Sequence, residues 1–302
     1  MKAVVLTGYG DVEKLEFRDV EDPQPGPRQI KVKVAGASVN PVDWKIRRGE
    51  MRGMLPLHLP TILGRDVSGE VVGVGRDVTE FEVGDRVMGL VEHGYAELVV
   101  ASVDGFAKLP REIEVQRAAA LPLVGLAGSQ LIREGVEARA GERVLVTGAV
   151  GSVGRVAVFT AKQRGAQVIA GVRSSQRAQA EKLDVDEIVA LDVPEEIKRL
   201  RPIDAIADTV NGKAVAALLD RVKPGGIVGT VLGPPLGAKE QGLRVHPILV
   251  HPDAERLAEL GRAVATGELV IRVERRFPLA RARVAQHIAE GGGIGKVLLV
   301  PS

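Results

Sequence analysis

The run LVTGAVGSVGRVAV, residues 145–158, decides how this chain folds. An apolar stretch through Thr147 ends in Gly148. Gly151 and Gly154 follow at three-residue spacing, and an apolar run of helical character comes next. A strand-to-helix turn that aims its amide groups at a diphosphate needs residues without Cβ, so that backbone and ligand can come close. The helix N-terminus adds partial positive charge. The dinucleotide fingerprint G-x-G-x-x-G aligns with Ala149, Val150, Gly151, Ser152, Val153 and Gly154, which puts alanine at the first glycine position. Gly148, just before it, restores part of the lost freedom. A strand before, a helix after and a second strand one crossover on supply the context such a loop needs. The turn is expected to bind a dinucleotide.

Outward from this turn, strands and helices alternate. ERVLVTG (142–148), AQVIAGV (166–172), EIVALD (187–192), IDAIADTV (203–210) and GGIVGTV (225–231) read as strands. GRVAVFTAKQRG (154–165), stopped by Gly165, and SSQRAQAEKLD (174–184), with a serine N-cap, read as helices. QRAAALPLVGLAGSQLIREG (116–135) is a further helix, interrupted at Pro122. Such alternation predicts a doubly wound parallel sheet. The first hundred residues differ. QIKVKVA (29–35), SGEVVGVG (68–75), DRVMGLV (85–91) and YAELVVA (95–101) are short strands between Gly, Pro and Asp turns, the pattern of a barrel or sandwich. After helices at 251–269 and 279–292, the chain closes with a strand, GKVLLVP (295–301). The expected division is 1–117 plus 251–302 for one domain and 118–250 for the inserted α/β domain.

The coenzyme is read from the end of the second strand of the α/β block. An NAD site places Asp or Glu there to hold the ribose 2′-hydroxyl. In GVRSSQRAQ (171–179) no acid occurs; Arg173, Ser174, Ser175 and Arg177 occur instead. Guanidinium and hydroxyl groups suit a 2′-phosphate, so NADP(H) is expected over NAD(H). The serines can also serve simply as helix caps and the arginines as solvated surface groups.

Composition narrows the field. With 302 residues, the chain can build two cores. A net charge of +2 without any basic block argues against nucleic-acid binding. The absence of cysteine excludes disulfides and thiolate metal sites, and none of the five histidines has a metal-ligand spacing. The apolar run at the N-terminus is too short for a signal sequence, and no run approaches the ~18 residues of a membrane span. A cytoplasmic protein that does not enter membranes is expected.

Six segments together resemble the medium-chain dehydrogenase/reductase superfamily, in its zinc-free branch of quinone oxidoreductases (ζ-crystallin-like) and enone reductases. They are SVNPVDWKIRRG (38–49), PTILGRDVSGEVVGVGRDVTEFEVGDRVMG (60–89), GYAELVV (94–100), AAALPLVGLAG (118–128), VTGAVGSVG (146–154) and GKVLLV (295–300). The resemblance implies a GroES-like β-barrel, completed by the C-terminal segment, around an inserted Rossmann domain. Zinc-dependent relatives carry a cysteine ligand near Asn40–Asp43 and Gly-His-Glu where this chain has Gly64, Arg65 and Asp66; no metal is therefore expected. The implied reaction is hydride transfer from NADPH to a quinone or the β-carbon of an α,β-unsaturated carbonyl. Reduction of ketones or enoyl thioesters, or a low-turnover NADPH-binding or redox-sensing role, are the alternatives. Similar proteins are commonly homodimers that pair through the edge of the Rossmann sheet.

Resemblance also assigns residues. Similar reductases place Tyr or Lys at Lys45, facing the nicotinamide, where an ammonium stabilises or protonates an enolate; an ordinary surface lysine is the other reading. Asn40 is implied to contact the cofactor or substrate region. Asp43 either orients Lys45 or ends a turn. Trp44 lines the pocket or packs in the barrel, and Tyr95 reads as barrel packing. Asp208, Thr209 and Val210, then Thr230 and Val231, end strands whose loops touch the cofactor in the family. Lys296 matches a position near the nicotinamide. The family's threonine in the 118–128 motif is Ala127 here, which removes one hydrogen bond to the cofactor, worth ~0.5–1.5 kcal/mol.

Overall fold

A computed structural model describes residues 1–301. Two compact units divide the chain: residues 1–123 together with those from Pro252 on, and Val124–His251.

The first unit begins with eight strands: β1 (Lys2–Leu6), β2 (Leu15–Asp19), β3 (Gln29–Val39), β4 (Thr61–Ile62), β5 (Asp66–Val74), β6 (Arg86–Leu90), β7 (Leu98–Ser102) and β8 (Phe106–Lys108). Alternation along β3 explains its pose. Ile30, Val32 and Val34 are buried, whereas Lys31 and Lys33 reach the other face. The inward set packs with Leu6, Val67, Val87, Tyr95, Val99 and Phe106 in one core.

The second unit supplies β9 (Arg143–Thr147), β10 (Gln167–Val172), β11 (Glu187–Ala190), β12 (Ile203–Asp208), β13 (Val222–Thr230) and β14 (Arg244–Pro247). All neighbours are parallel and the order is β11-β10-β9-β12-β13-β14. Renumbered from β9, that is the doubly wound order 3-2-1-4-5-6. Successive residues of one strand enter different cores. Val144 and Val146 join Val168, Ala170, Ala205 and Ala207, while Leu145 joins Ile169, Ile206 and Val228. Burial on both faces is why these strands read as unbroken apolar runs.

The chain then returns to the first unit with β15 (Val273–Pro278) and β16 (Lys296–Val300). β16 lies antiparallel to β3, with Val297 opposite Val39, so the last strand completes the sheet begun near the N-terminus. Among the described residues no helix is long and apolar enough to cross a membrane.

Local structure refines the sequence reading in several places. The helical run is broken at Pro122 as expected, but over a wider gap: one helix, Val115–Ala118, ends before it, and Pro122 opens the next, Pro122–Gln130, where at the first helical position its missing N–H costs nothing. The stretch 174–184 is three short turns, Ser174–Gln176, Arg177–Ala180 and Glu181–Leu183, and no serine side chain caps it. Strand β7 starts at Leu98, three residues later than expected. Strand β14 was not foreseen, because its four residues follow a Gly- and Pro-rich stretch with little alternation.

Candidate functional site

In the second unit, the glycine turn joins β9 to a helix, Ser152–Gln163. Gly148 has φ +61°, a left-handed conformation that a side chain disfavours. Its carbonyl accepts the Gly151 amide at 2.8 Å, which closes the turn. A Cβ on Gly154 would overlap that same carbonyl oxygen and sit 2.9 Å from the Ala149 Cα, so glycine lets the helix seat against its own turn. Gly151 differs: a Cβ there would meet only the Gly148 oxygen, at 3.1 Å, and the residue is exposed. The space over the Gly151 Cα is thus open to an incoming diphosphate, although the Gly151 amide is spent on Gly148, beside the half-buried Val150, Ser152 and Val153. These residues fit the coenzyme the turn implies, whose diphosphate would lie on the helix N-terminus.

Residues at the ends of β12 and β13 hold this turn from below. The Asp208 carboxylate is fully buried and accepts four hydrogen bonds. Oδ1 takes Thr147 Oγ1 (2.9 Å), the Val210 amide (3.0 Å) and the Asn211 amide (2.9 Å), while Oδ2 takes Thr230 Oγ1 (3.0 Å). Thr209 donates its hydroxyl to the Thr147 carbonyl at 2.7 Å and its amide to Thr147 Oγ1 at 2.9 Å. Asp208 and Thr230 were expected to touch the cofactor. They are saturated internal struts instead, because a buried carboxylate demands every donor within reach. Val210, 44% exposed, borders the turn: a Cβ on Gly148 would lie 2.7 Å from it. Val231 is half-buried, with its amide donated to the Asp208 carbonyl.

The end of β10 holds the coenzyme-selecting residues, and here the structure corrects the picture of a socket without carboxylates. Ser174 donates its amide to Asp192 Oδ1 (2.7 Å) and its hydroxyl to Asp192 Oδ2 (2.8 Å). Arg177 grips both oxygens of Glu196 at 2.6 Å. Glu196 also accepts the Ala190 amide at 2.8 Å. That amide and then Arg177 hold its carboxyl below the usual range. Arg173 and Ser175 are exposed, and Arg173 forms no ion pair among the described residues. Charge-assisted bonds to carboxylates outcompete neutral capping, which is why the serine does not cap.

A buried polar cluster occupies the first unit. Asn40 precedes the helix Pro41–Arg48, and Asp43 accepts the Asn40 amide at 2.8 Å, closing the helix start. The same oxygen, Asp43 Oδ2, accepts the Tyr95 hydroxyl at 2.7 Å; the other, Oδ1, is buried without a partner. Burial raises the Asp43 carboxyl to about 7 against the pull of Tyr95 and the Asn40 amide. Asp43 therefore ends a turn and does not orient Lys45. Tyr95, packed in the barrel as expected, adds this hydrogen bond, and burial beside Asp43 keeps its hydroxyl protonated.

Asp66 is the hub of the cluster. It is fully buried and accepts Ser38 Oγ (2.5 Å), Asn40 Nδ2 (2.8 Å) and the Leu123 amide (2.6 Å), with Lys296 Nζ 3.6 Å away. Lys296 donates to Asn40 Oδ1 at 2.5 Å. Desolvation lowers its ammonium's pKa, with Asp66 and Asp43 opposing. Asn40 and Lys296 were expected at the cofactor. Both side chains are instead spent on each other and on Asp66, in a site with almost no solvent access. Sequence reading missed Asp66 as a hub; its signal was an acid opening an apolar strand directly after Gly64 and Arg65. The cluster does not suit a divalent cation, since its core already holds an ammonium and several N–H donors.

Lys45 stands apart from this cluster. It is half-buried on the Pro41–Arg48 helix and forms no side-chain hydrogen bond or ion pair among the described residues. Trp44 packs against the barrel core. Arg47, two residues on, is buried and held by Gln286 (2.8 Å), the Gly10 carbonyl (2.8 Å) and Glu290 (3.0 Å). The motif thus mixes an anchoring arginine with an unengaged lysine.

Residues 26–111 match the family model of the alcohol dehydrogenase GroES-like domain, and residues 183–299 match that of the zinc-binding dehydrogenases. A quinone oxidoreductase of Pseudomonas aeruginosa is 33% identical over 328 residues, with 99% of both chains covered. The solved quinone oxidoreductase of Coxiella burnetii superposes with a TM-score of 0.88 at 30% identity, covering 99% of both chains. A mycobacterial protein solved in complex with NADPH superposes with a TM-score of 0.84 at 26% identity, covering 100% of both.

Proposed function

This chain belongs to the medium-chain dehydrogenase/reductase superfamily, in its quinone oxidoreductase branch, and from that premise we propose that it reduces quinones or α,β-unsaturated carbonyls with NADPH and without a metal. The observation that carries this reading is the glycine turn at the carboxyl edge of the 3-2-1-4-5-6 sheet, with the space over the Gly151 Cα open. When bound, the reduced nicotinamide supplies the hydride. The chain's own residues bind and orient. Gly151, which lacks a Cβ, lets the diphosphate reach the helix start at Ser152. Arg173, exposed and without an ion pair among the described residues, takes the 2′-phosphate, helped by Ser175. The NADPH-bound relative supports that choice of coenzyme. Lys45 provides a cation for the negative charge that develops on the acceptor's carbonyl oxygen. Its lack of a side-chain hydrogen bond or ion pair among the described residues supports this role, because no bond need break before it acts. The replacement of metal-ligand residues around Asp66 by an ammonium-bearing cluster supports chemistry without Lewis-acid zinc.

The test is loss of NADPH absorbance with 1,4-benzoquinone, 9,10-phenanthrenequinone and methyl vinyl ketone. Tight NADPH binding without absorbance loss would sink the proposed activity. Lys45→Ala is expected to lower kcat about 100-fold, the scale of one lost oxyanion donor, with the Kd for NADPH within twofold. An unchanged kcat removes the donor role. Arg173→Ala is expected to raise the KM for NADPH about tenfold, as a charge-assisted bond warrants, and to leave the KM for NADH unchanged. Equal effects on both coenzymes would remove Arg173 from phosphate recognition.

A further inference from the structure

Strands β10 and β11 run in parallel register, with Val172 opposite Ala190, so the residues beyond both ends continue side by side. Asp192, which follows β11, thereby reaches Ser174, which follows β10. It takes both the amide and the hydroxyl of that serine at 2.7 and 2.8 Å. These are the donors that a 2′-phosphate would need. Glu196 holds Arg177 in the same way. Of the four residues expected to bind the phosphate, only Arg173 and Ser175 remain uncommitted, and the two carboxylates cancel the charge of the two arginines.

We infer that Asp192 is a specificity-determining residue that works against the phosphorylated coenzyme and makes this chain's choice between NADPH and NADH shallow. A 2′-phosphate entering here must displace Asp192 from Ser174 and then lie beside a like charge. A 2′-hydroxyl meets no such cost, because it can donate to the carboxylate. The acid that sequence places at the end of the second strand in NAD sites is supplied here by the third. Ser174's amide and then its hydroxyl hold the Asp192 carboxyl below the usual range, so its charge persists at neutral pH.

The inference rests on the proposed coenzyme site, and calorimetry separates the two. Full-length protein is titrated with adenosine 2′,5′-bisphosphate and with 5′-AMP, neither of which turns over. Asp192→Asn, which keeps an acceptor for Ser174, and Asp192→Ala, which removes it, are both on the exposed surface. Both should tighten the bisphosphate about tenfold relative to 5′-AMP. A ratio that moves less than threefold, or an equal loss for both ligands, overturns the role of Asp192 and reduces it to a loop brace. A wild-type preference for 5′-AMP, with the ratio still rising in the variants, overturns NADPH use but supports Asp192. Failure of the wild type to bind either ligand overturns both.

Discussion

Asp66→Ala is expected to destabilise the barrel-containing unit by about 3–5 kcal/mol, the cost of removing one partner from a buried ion pair. The substitution takes from the Lys296 ammonium, 6% exposed, its nearest counter-charge and leaves Asn40 Nδ2 and the Leu123 amide without their acceptor. Each unsatisfied buried donor carries its own desolvation cost. Urea unfolding followed by tryptophan fluorescence reads the effect directly, because the chain's one tryptophan, Trp44, packs against this unit's core. Adding Lys296→Met removes the ammonium's charge and should return at least about 1 kcal/mol, a coupling measurable in a double-mutant cycle. A loss below about 1 kcal/mol for the single variant would show that Asp66 is a bystander.

Gly154→Ala is expected to lose both stability and coenzyme binding, whereas Gly151→Ala should lose binding alone. At Gly154 the new Cβ overlaps the Gly148 oxygen and presses on the Gly148 carbonyl carbon at 2.8 Å. These are backbone atoms inside the turn and cannot swing aside. The helix must therefore lift off β9, at a cost of about 3 kcal/mol, the upper part of the usual overpacking range. At Gly151 the backbone has φ −73° and the sole neighbour is 3.1 Å away, so a methyl group is accommodated by a small shift. That methyl occupies the space a diphosphate needs. Thermal unfolding together with calorimetry against NADPH separates the two. Equal melting temperatures for the variants would refute the different roles given to the two glycines.

Patterns local in the chain are legible in the sequence itself. The glycine spacing around Gly151, the apolar runs of β9, β10 and β12, and the lysine alternation in β3 are short-range consequences of strand and helix geometry. The insertion of an α/β block between a β-rich start and a tail of two helices and a strand followed from the changes of pattern near residues 116 and 251. Polar partnerships were harder. Asp208 and Thr230 ended strands where coenzyme loops begin, yet burial turned them into struts. Asn40 and Lys296 are 256 positions apart, and only β16 lying beside β3 brings them together.

What sequence by itself determined was the strand–helix alternation of the α/β block, the glycine turn and the absence of cysteine chemistry, because each is carried by residue types and their neighbours along the chain. The tertiary structure alone decided where the charges pair. Ser174 faces Asp192 and Arg177 faces Glu196 because β11 lies next to β10, and Asp66 becomes a hub because β5, β3, β16 and a helix start converge on it. A hydrogen-bonding group takes the strongest partner that topology delivers, and no local spacing rule carries that information.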